Sequence, residues 1–154
     1  PTWIIHWLRD IYLKCAKQFE NNEKIYIDRT DSEFKHCQIQ NDKEVFGFLK
    51  EKGFSKYRTG ELSFFEQIYL FNNAKFVVGA HGAAFTNLTF CKPNTNIIEI
   101  KPSTHPNNVN KRISQINNLN YRLIKTKVLD ENQKKLGDIY LPINELEHCI
   151  KSFS

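Results

Sequence analysis

The chain is organised around Phe76-Val-Val-Gly-Ala-His-Gly-Ala-Ala-Phe-Thr-Asn-Leu-Thr-Phe90. An apolar run, Phe76, Val77 and Val78, meets small residues at Gly79, Ala80, Gly82, Ala83 and Ala84, and Thr86 and Asn87 follow where a helix takes its first turn. The order predicts a strand, a tight turn, then a helix from about Ala83 to Phe90. Glycines have no Cβ, so such a turn lets a ligand approach the backbone, and the helix start aims unpaired amides and a positive dipole end at it. Phosphate is the ligand best suited to that environment. A strand-to-helix connection that binds nothing has the same local pattern.

The residues before this stretch alternate between two periods. Trp3 to Phe19 spaces Trp3, Trp7, Leu8, Ile11, Tyr12, Cys15 and Phe19 by three and four, predicting a leading amphipathic helix within residues 1–22. Ile25-Tyr-Ile27 is a short strand ending at Asp28-Arg29, followed by a polar loop from Thr30 to Gln40. Asn41 or Asp42 caps a helix carrying Val45, Phe46 and Leu49, which Gly53 ends; Phe54 to Tyr57 is a second strand. Ser63 caps a third helix with Phe64, Ile68, Leu70 and Phe71 facing inward and Glu66 in its first turn.

After the opening stretch, Asn96-Ile-Ile-Glu-Ile100 reads as a strand with Glu99 near its carboxyl end, and Pro102 to Asn108 as a loop long enough to move. Val109 to Leu119 is a weaker helix and Asn120 to Thr126 a strand. Asp130 to Gly137 is charged and exposed, Ile139 to Leu141 a last short strand, and Pro142 opens a helix with Ile143, Leu146, Cys149 and Ile150. Strands alternating with helices predict an α/β, Rossmann-like, mostly parallel sheet with helices on both faces, occupying residues 23–154. Ligands of such sheets sit outside the carboxyl ends of the strands. That rim gathers Arg29, the Gly79–Ala84 turn and Glu99.

The chain has 154 residues, 40% hydrophobic and 25% charged, ordinary values for one globular domain. It has no Met and starts at Pro1, which predicts a piece of a larger protein. A net charge of +5 and a pI near 9.0 favour anionic partners, but the lysines are scattered, which argues against nucleic acid. Cys15, Cys37, Cys91 and Cys149 lack zinc-ligand spacing, so no metal is expected and free thiols are the simplest account. Neither G-x-G-x-x-G nor G-x-x-x-x-G-K-[ST] is present, excluding a dinucleotide fingerprint and a P-loop. Asn87-Leu-Thr89 fits an N-glycosylation acceptor only by accident, because a glycan there would obstruct the turn.

Several side chains on the rim can carry chemistry. Arg29 offers a planar set of donors for phosphate oxygens, or is a surface loop residue. His81 can donate to a phosphate or a leaving diphosphate, or can fix the turn through a neighbouring carbonyl. Thr86 and Asn87 donate to a ligand or to their own helix. Glu99 binds ribose hydroxyls or faces water at the strand end.

An ordered set of residues from Ile25 to Ile100 resembles glycosyltransferase family 61. It comprises Ile25-Tyr-Ile-Asp-Arg29, Asn41 and Glu44-Val45 before Gly53-Phe54, Leu62-Ser-Phe-Phe-Glu-Gln67, Ala74, Val77-Val-Gly-Ala-His-Gly-Ala83, Thr86-Asn87, Phe90 and Ile98-Glu-Ile100. The resemblance implies an inverting sugar transfer from a nucleotide-sugar, most readily a UDP-sugar, to a glycan or glycoprotein acceptor, without a metal. It implies one half of a GT-B architecture, the C-terminal donor-binding half, whose N-terminal partner domain is absent from this chain. The His-Gly-Ala turn then holds the diphosphate through Gly82, Ala83, Thr86 and Asn87, with Arg29 assisting, His81 stabilising the leaving group and Glu99 near the nucleoside. Two departures stand out: Cys37-Gln38 replaces a frequent second Arg, and Ala84-Phe85 a frequent Gly-Leu. The alternative is a non-catalytic α/β interaction or nucleic-acid-binding module.

Overall fold

The computed structural model describes residues 2–30, 37–106, 108–130 and 137–153. Five strands form one sheet: β1 (Lys24–Asp28), β2 (Ser55–Arg58), β3 (Phe76–Ala80), β4 (Asn96–Pro102) and β5 (Asn120–Thr126). The order is β2-β1-β3-β4-β5 and every neighbouring pair is parallel. The helices are α1 (Thr2–Tyr12), α2 (Asp42–Glu51), α3 (Phe64–Asn73), α4 (Val109–Ile116) and α5 (Ile143–Lys151), with a longer 3₁₀ helix at Ala83–Phe90. This is the Rossmann-like α/β fold that the alternating periods predict.

Period-two alternation along each strand divides the core into two layers. Ile25, Ile27, Val77 and Ile97 face one side, where Ile68, Leu70 and Phe71 of α3 pack with Phe85 and Leu88 of the 3₁₀ helix and Ile113 of α4. Tyr26, Val78, Ile98 and Ile100 face the other, against Val45 and Leu49 of α2 and Leu146 of α5. Each of these wholly buried aliphatic side chains contributes about 1.5–3 kcal/mol of transfer free energy. The sheet is therefore covered on both faces.

The helix ends follow local chemistry. The Ser63 hydroxyl accepts from the Glu66 amide at 3.3 Å, and a Glu66 carboxylate oxygen accepts from the Ser63 amide at 2.9 Å, a full capping box at the start of α3. Gly53, at φ +83°, takes the left-handed position just past α2.

Four expectations need correction. The leading helix stops at Tyr12, passes through a short 3₁₀ turn and becomes extended at Ala16. There the Lys17 amide donates to the Phe65 carbonyl at 3.0 Å, and Phe19 packs against Tyr57 and Tyr69, so tertiary contacts override the helical period. Its tryptophans lie outside: Trp3 is 66% and Trp7 52% exposed, while Arg9 turns inward and donates to the carbonyls of Thr89 at 2.6 Å and Cys91 at 2.7 Å. Phe64 is 46% exposed, resting edge-on against Tyr12 and Phe90 rather than entering the core.

The segment after the turn is 3₁₀ rather than α. Phe85, Leu88 and Cys91 are all buried and stand three residues apart, a spacing that lines up on one ridge only when the helix has three residues per turn. Ile139 makes single bridges to Ile39 and Val128 instead of a strand over 139–141. The expected loop at 30–40 and the charged stretch at 130–137 lie partly outside the described residues, at 31–36 and 131–136.

Candidate functional site

In a sheet of order 2-1-3-4-5 the connections leave in opposite directions from β1 and β3, opening a crevice at their carboxyl ends. The residues that end these two strands are Asp28-Arg29 and Ala80-His81.

On the β1 side, Asp28 is 3% exposed and accepts from the Thr30 amide at 2.8 Å, the Thr30 hydroxyl at 3.0 Å and Arg58 Nε at 3.0 Å. Burial alone would raise its carboxyl, but these hydrogen bonds and the nearby Lys56 charge hold it below its ordinary value. The turn so fixed projects Arg29, half-buried, across to the β3 side. Its Nη1 donates to the carbonyl of His81. A Cβ on Gly82 would fall inside the guanidinium, 2.6 Å from Nη1 and 2.7 Å from Nε. Gly82 itself is extended, at φ 172°, so its lack of a side chain serves the arginine and not the backbone. Gly79 is required differently, since a Cβ there would stand 3.0 Å from the Phe85 ring and 3.1 Å from Ile27.

The β3 turn is anchored by the His81 amide, which donates to the Ile100 carbonyl at 2.7 Å. The His81 ring is turned inward: Nδ1 meets Glu99 Oε1. Glu99 is 1% exposed, with Asn110 Nδ2 donating to the same Oε1 at 2.7 Å and the Tyr121 hydroxyl donating to Oε2. Burial would raise the Glu99 carboxyl, yet the bonds from His81, Tyr121 and Asn110 outweigh it and leave it lowered. Burial and the same carboxylate push Tyr121 well above its ordinary value, so it remains a donor. Two residues on, Lys101 is buried to the same degree on the same face of β4. The ring of His105, from the loop after β4, lies 4.1 Å from that of His81, centroid to centroid.

Of the residues singled out in the sequence, Arg29, His81, Gly82 and Ala83 therefore meet at the crevice. Thr86 is exposed and spends its hydroxyl on the Ala83 carbonyl at 2.7 Å. Asn87 points into the domain and donates to Gln67 of α3 at 2.9 Å. With Asn87 and Thr89 both buried, the glycosylation pattern is inaccessible. Glu99 neither faces water nor lies free for a ribose; both its oxygens are occupied by protein donors. Asn110, Tyr121 and His105 were not anticipated. The signal for the first two was present, however, because a carboxylate inside an Ile-rich strand demands buried donors.

The enclosed part of the crevice, lined by Asp28, Arg29, Thr30, Gln38 and Ala80, holds about 40 Å³. That is far below the several hundred Å³ of a nucleotide-sized pocket. A wider groove of about 760 Å³ runs along β5 and α5, but it contains none of these residues.

At the switch point of this Rossmann-like sheet an arginine and a His-Gly-Ala turn face each other. The chain belongs to glycosyltransferase family 61, whose model, Glycosyltransferase 61, matches residues 1–98. It is similar to a beta-1,2-xylosyltransferase of Oryza sativa subsp. japonica, 28% identical over an alignment 126 residues long that covers 75% of this chain and 22% of the relative. The chain spans about a fifth of that relative's length. Among the described residues, no helix is long and apolar enough to cross a membrane.

Proposed function

We propose that this chain is the donor-binding domain of an inverting glycosyltransferase that moves a sugar from a nucleotide-sugar, a UDP-sugar in the first instance, to a hydroxyl of a glycan or glycoprotein. One observation carries the reading: Arg29 lies across the His81–Gly82 turn at the switch point, so a fixed cation and the amides opening the 3₁₀ helix at Ala83 share one open rim. That is the environment a diphosphate needs, and the family membership supports it.

In the reaction the acceptor oxygen forms a bond to the anomeric carbon while the bond from that carbon to the diphosphate breaks, the electron pair leaving with the diphosphate. Arg29, the turn amides and His81 stabilise the charge that develops there, and they do so without a metal. The base that takes the acceptor proton belongs to the part of the enzyme facing this rim, in the other half of a GT-B pair. This division of labour predicts weak nucleotide binding and little transfer by the chain alone.

Calorimetric titration with UDP and other nucleoside diphosphates tests the reading. Binding in the millimolar range or tighter is expected, lost in Arg29→Ala and His81→Ala variants that remain folded. A folded protein giving no heat with millimolar UDP refutes it. Salt-steep oligonucleotide binding, indifferent to both substitutions, would favour a nucleic-acid-binding module.

A further inference from the structure

Glu99 sits inside the rim and yet touches nothing from solvent. It accepts from the Asn110 amide on α4 and the Tyr121 hydroxyl on β5 and meets the His81 ring on the β3 turn, so one carboxylate gathers partners from three elements. A carboxylate with no proton can only accept. Whatever faces it must therefore bring a hydrogen, and that fixes the state of His81.

We infer that Glu99 is a positioning residue for His81: it holds the ring as the Nδ1–H donor and leaves Nε2 as the nitrogen that meets the substrate. Asn110 and Tyr121 act one step further back, fixing both carboxylate oxygens so that the imidazole has one orientation. When Nε2 carries a proton as well, the buried carboxylate balances the ring's charge, and Nε2–H donates to a diphosphate oxygen. This role for His81 toward a diphosphate rests on the donor-binding reading above; the tautomer does not.

A specific competitor exists. The Asn110 amide nitrogen also stands 3.3 Å from His81 Nδ1, and if that nitrogen carried no hydrogen the amide would donate to it. The ring would then be the Nε2–H tautomer, and its bare Nδ1 would face the Glu99 oxygen, lone pair against lone pair. The geometry argues for the first arrangement: Nδ1 lies nearer to Glu99 Oε1 than to the Asn110 nitrogen, and that amide already donates to Oε1 at 2.7 Å. The charged or titratable groups around the ring include Glu99 and Tyr121 behind it, His105 across its face and Arg29 at its own carbonyl, with Lys101 buried two residues along β4 from Glu99.

The tautomer can be read directly. Two-bond ¹⁵N–¹H spectra of the labelled chain distinguish a hydrogen-bearing ring nitrogen from a bare one, and a His81→Gln variant assigns the signals. The expected wild-type spectrum shows His81 with a hydrogen on Nδ1. In Glu99→Gln that preference is lost to a mixture of tautomers, with the fold retained by circular dichroism, and UDP affinity falls about tenfold. Tyr121→Phe, a milder change, gives a smaller shift in the same direction and serves if Glu99→Gln fails to fold. A wild-type ring protonated on Nε2 alone overturns the inference, as does a His81 signal unmoved by Glu99→Gln or, in its place, by Tyr121→Phe. If UDP does not bind the wild type while the Nδ1–H tautomer is present, the donor-binding reading fails and the positioning role of Glu99 stands.

Discussion

Replacing Gly82 with alanine separates the binding role of Arg29 from the stability of the fold. The backbone at Gly82 is extended, at φ 172° and ψ −179°, so alanine adopts it without strain. The new Cβ, however, would lie 2.6–2.7 Å from the Arg29 guanidinium nitrogens, closer than non-bonded atoms allow. What it meets is the far end of a flexible side chain, which can swing away. The folding cost includes the lost charge-assisted bond from Arg29 to the His81 carbonyl, about 1.5–3 kcal/mol. The binding cost is a separate quantity. A displaced guanidinium forfeits its charge-assisted bonds to a diphosphate, about 1.5–3 kcal/mol, or roughly one to two orders of magnitude in Kd. Urea unfolding and calorimetry with UDP on the same preparation measure the two. Gly79→Ala is the control, because its Cβ would press on Phe85 and on both the side chain and backbone of Ile27. Overpacking there costs about 1–3 kcal/mol of stability. Gly82→Ala binding UDP as tightly as wild type would refute the assignment of Arg29 to the diphosphate.

Acid and thiol reagents probe two other features. Asp28, Glu66 and Glu99 all have lowered carboxyls, Glu66 to about 2 through its bonds with Ser63 and Lys17, so their stabilisation is complete above the ordinary value near 4 to 4.5. It is lost as pH falls below that range, and urea midpoints measured from pH 6 to 3 are expected to decline, with a shallower decline in Glu66→Gln. For the thiols, Cys15 is exposed, whereas Cys37 and Cys91 are buried and pushed up by burial. A thiol reagent at pH 8 should label Cys15 in the native protein and reach Cys37 and Cys91 only after denaturation, as peptide mapping would show.

The parts of the fold that were legible in the sequence are those in which local chemistry and tertiary structure agree. The Ile and Val runs of β1, β3 and β4, the capping box at Ser63 and the glycine after α2 all act within a few residues, and each lies where its pattern places it. The leading helix departs from its pattern because a helical period says nothing of which face is covered. Arg9, polar and apparently outward, finds carbonyls to bond 80 residues away, and the tryptophans are left outside. At the site, Arg29 and the His-Gly-Ala turn were readable because both end predicted strands. A carboxylate in an Ile-rich strand announces buried partners but does not name them. Its donors come from α4 and β5, and no local pattern states that Asn110 and Tyr121 converge on it.

The sheet order has a consequence for how the chain assembles. β1 is the first strand to be made, but it lies between β2 and β3, with Ile25 paired to Val77 about 50 residues later. At a synthesis rate of roughly 5–20 residues per second, an edge of apolar Ile-Tyr-Ile stays open for several seconds before its partner emerges. The α1 segment cannot shield it on its own, since Arg9 docks on carbonyls at Thr89 and Cys91 that are made later still. Of the strands in this sheet, then, the one that leads into Arg29 waits longest during synthesis for a partner on one of its edges.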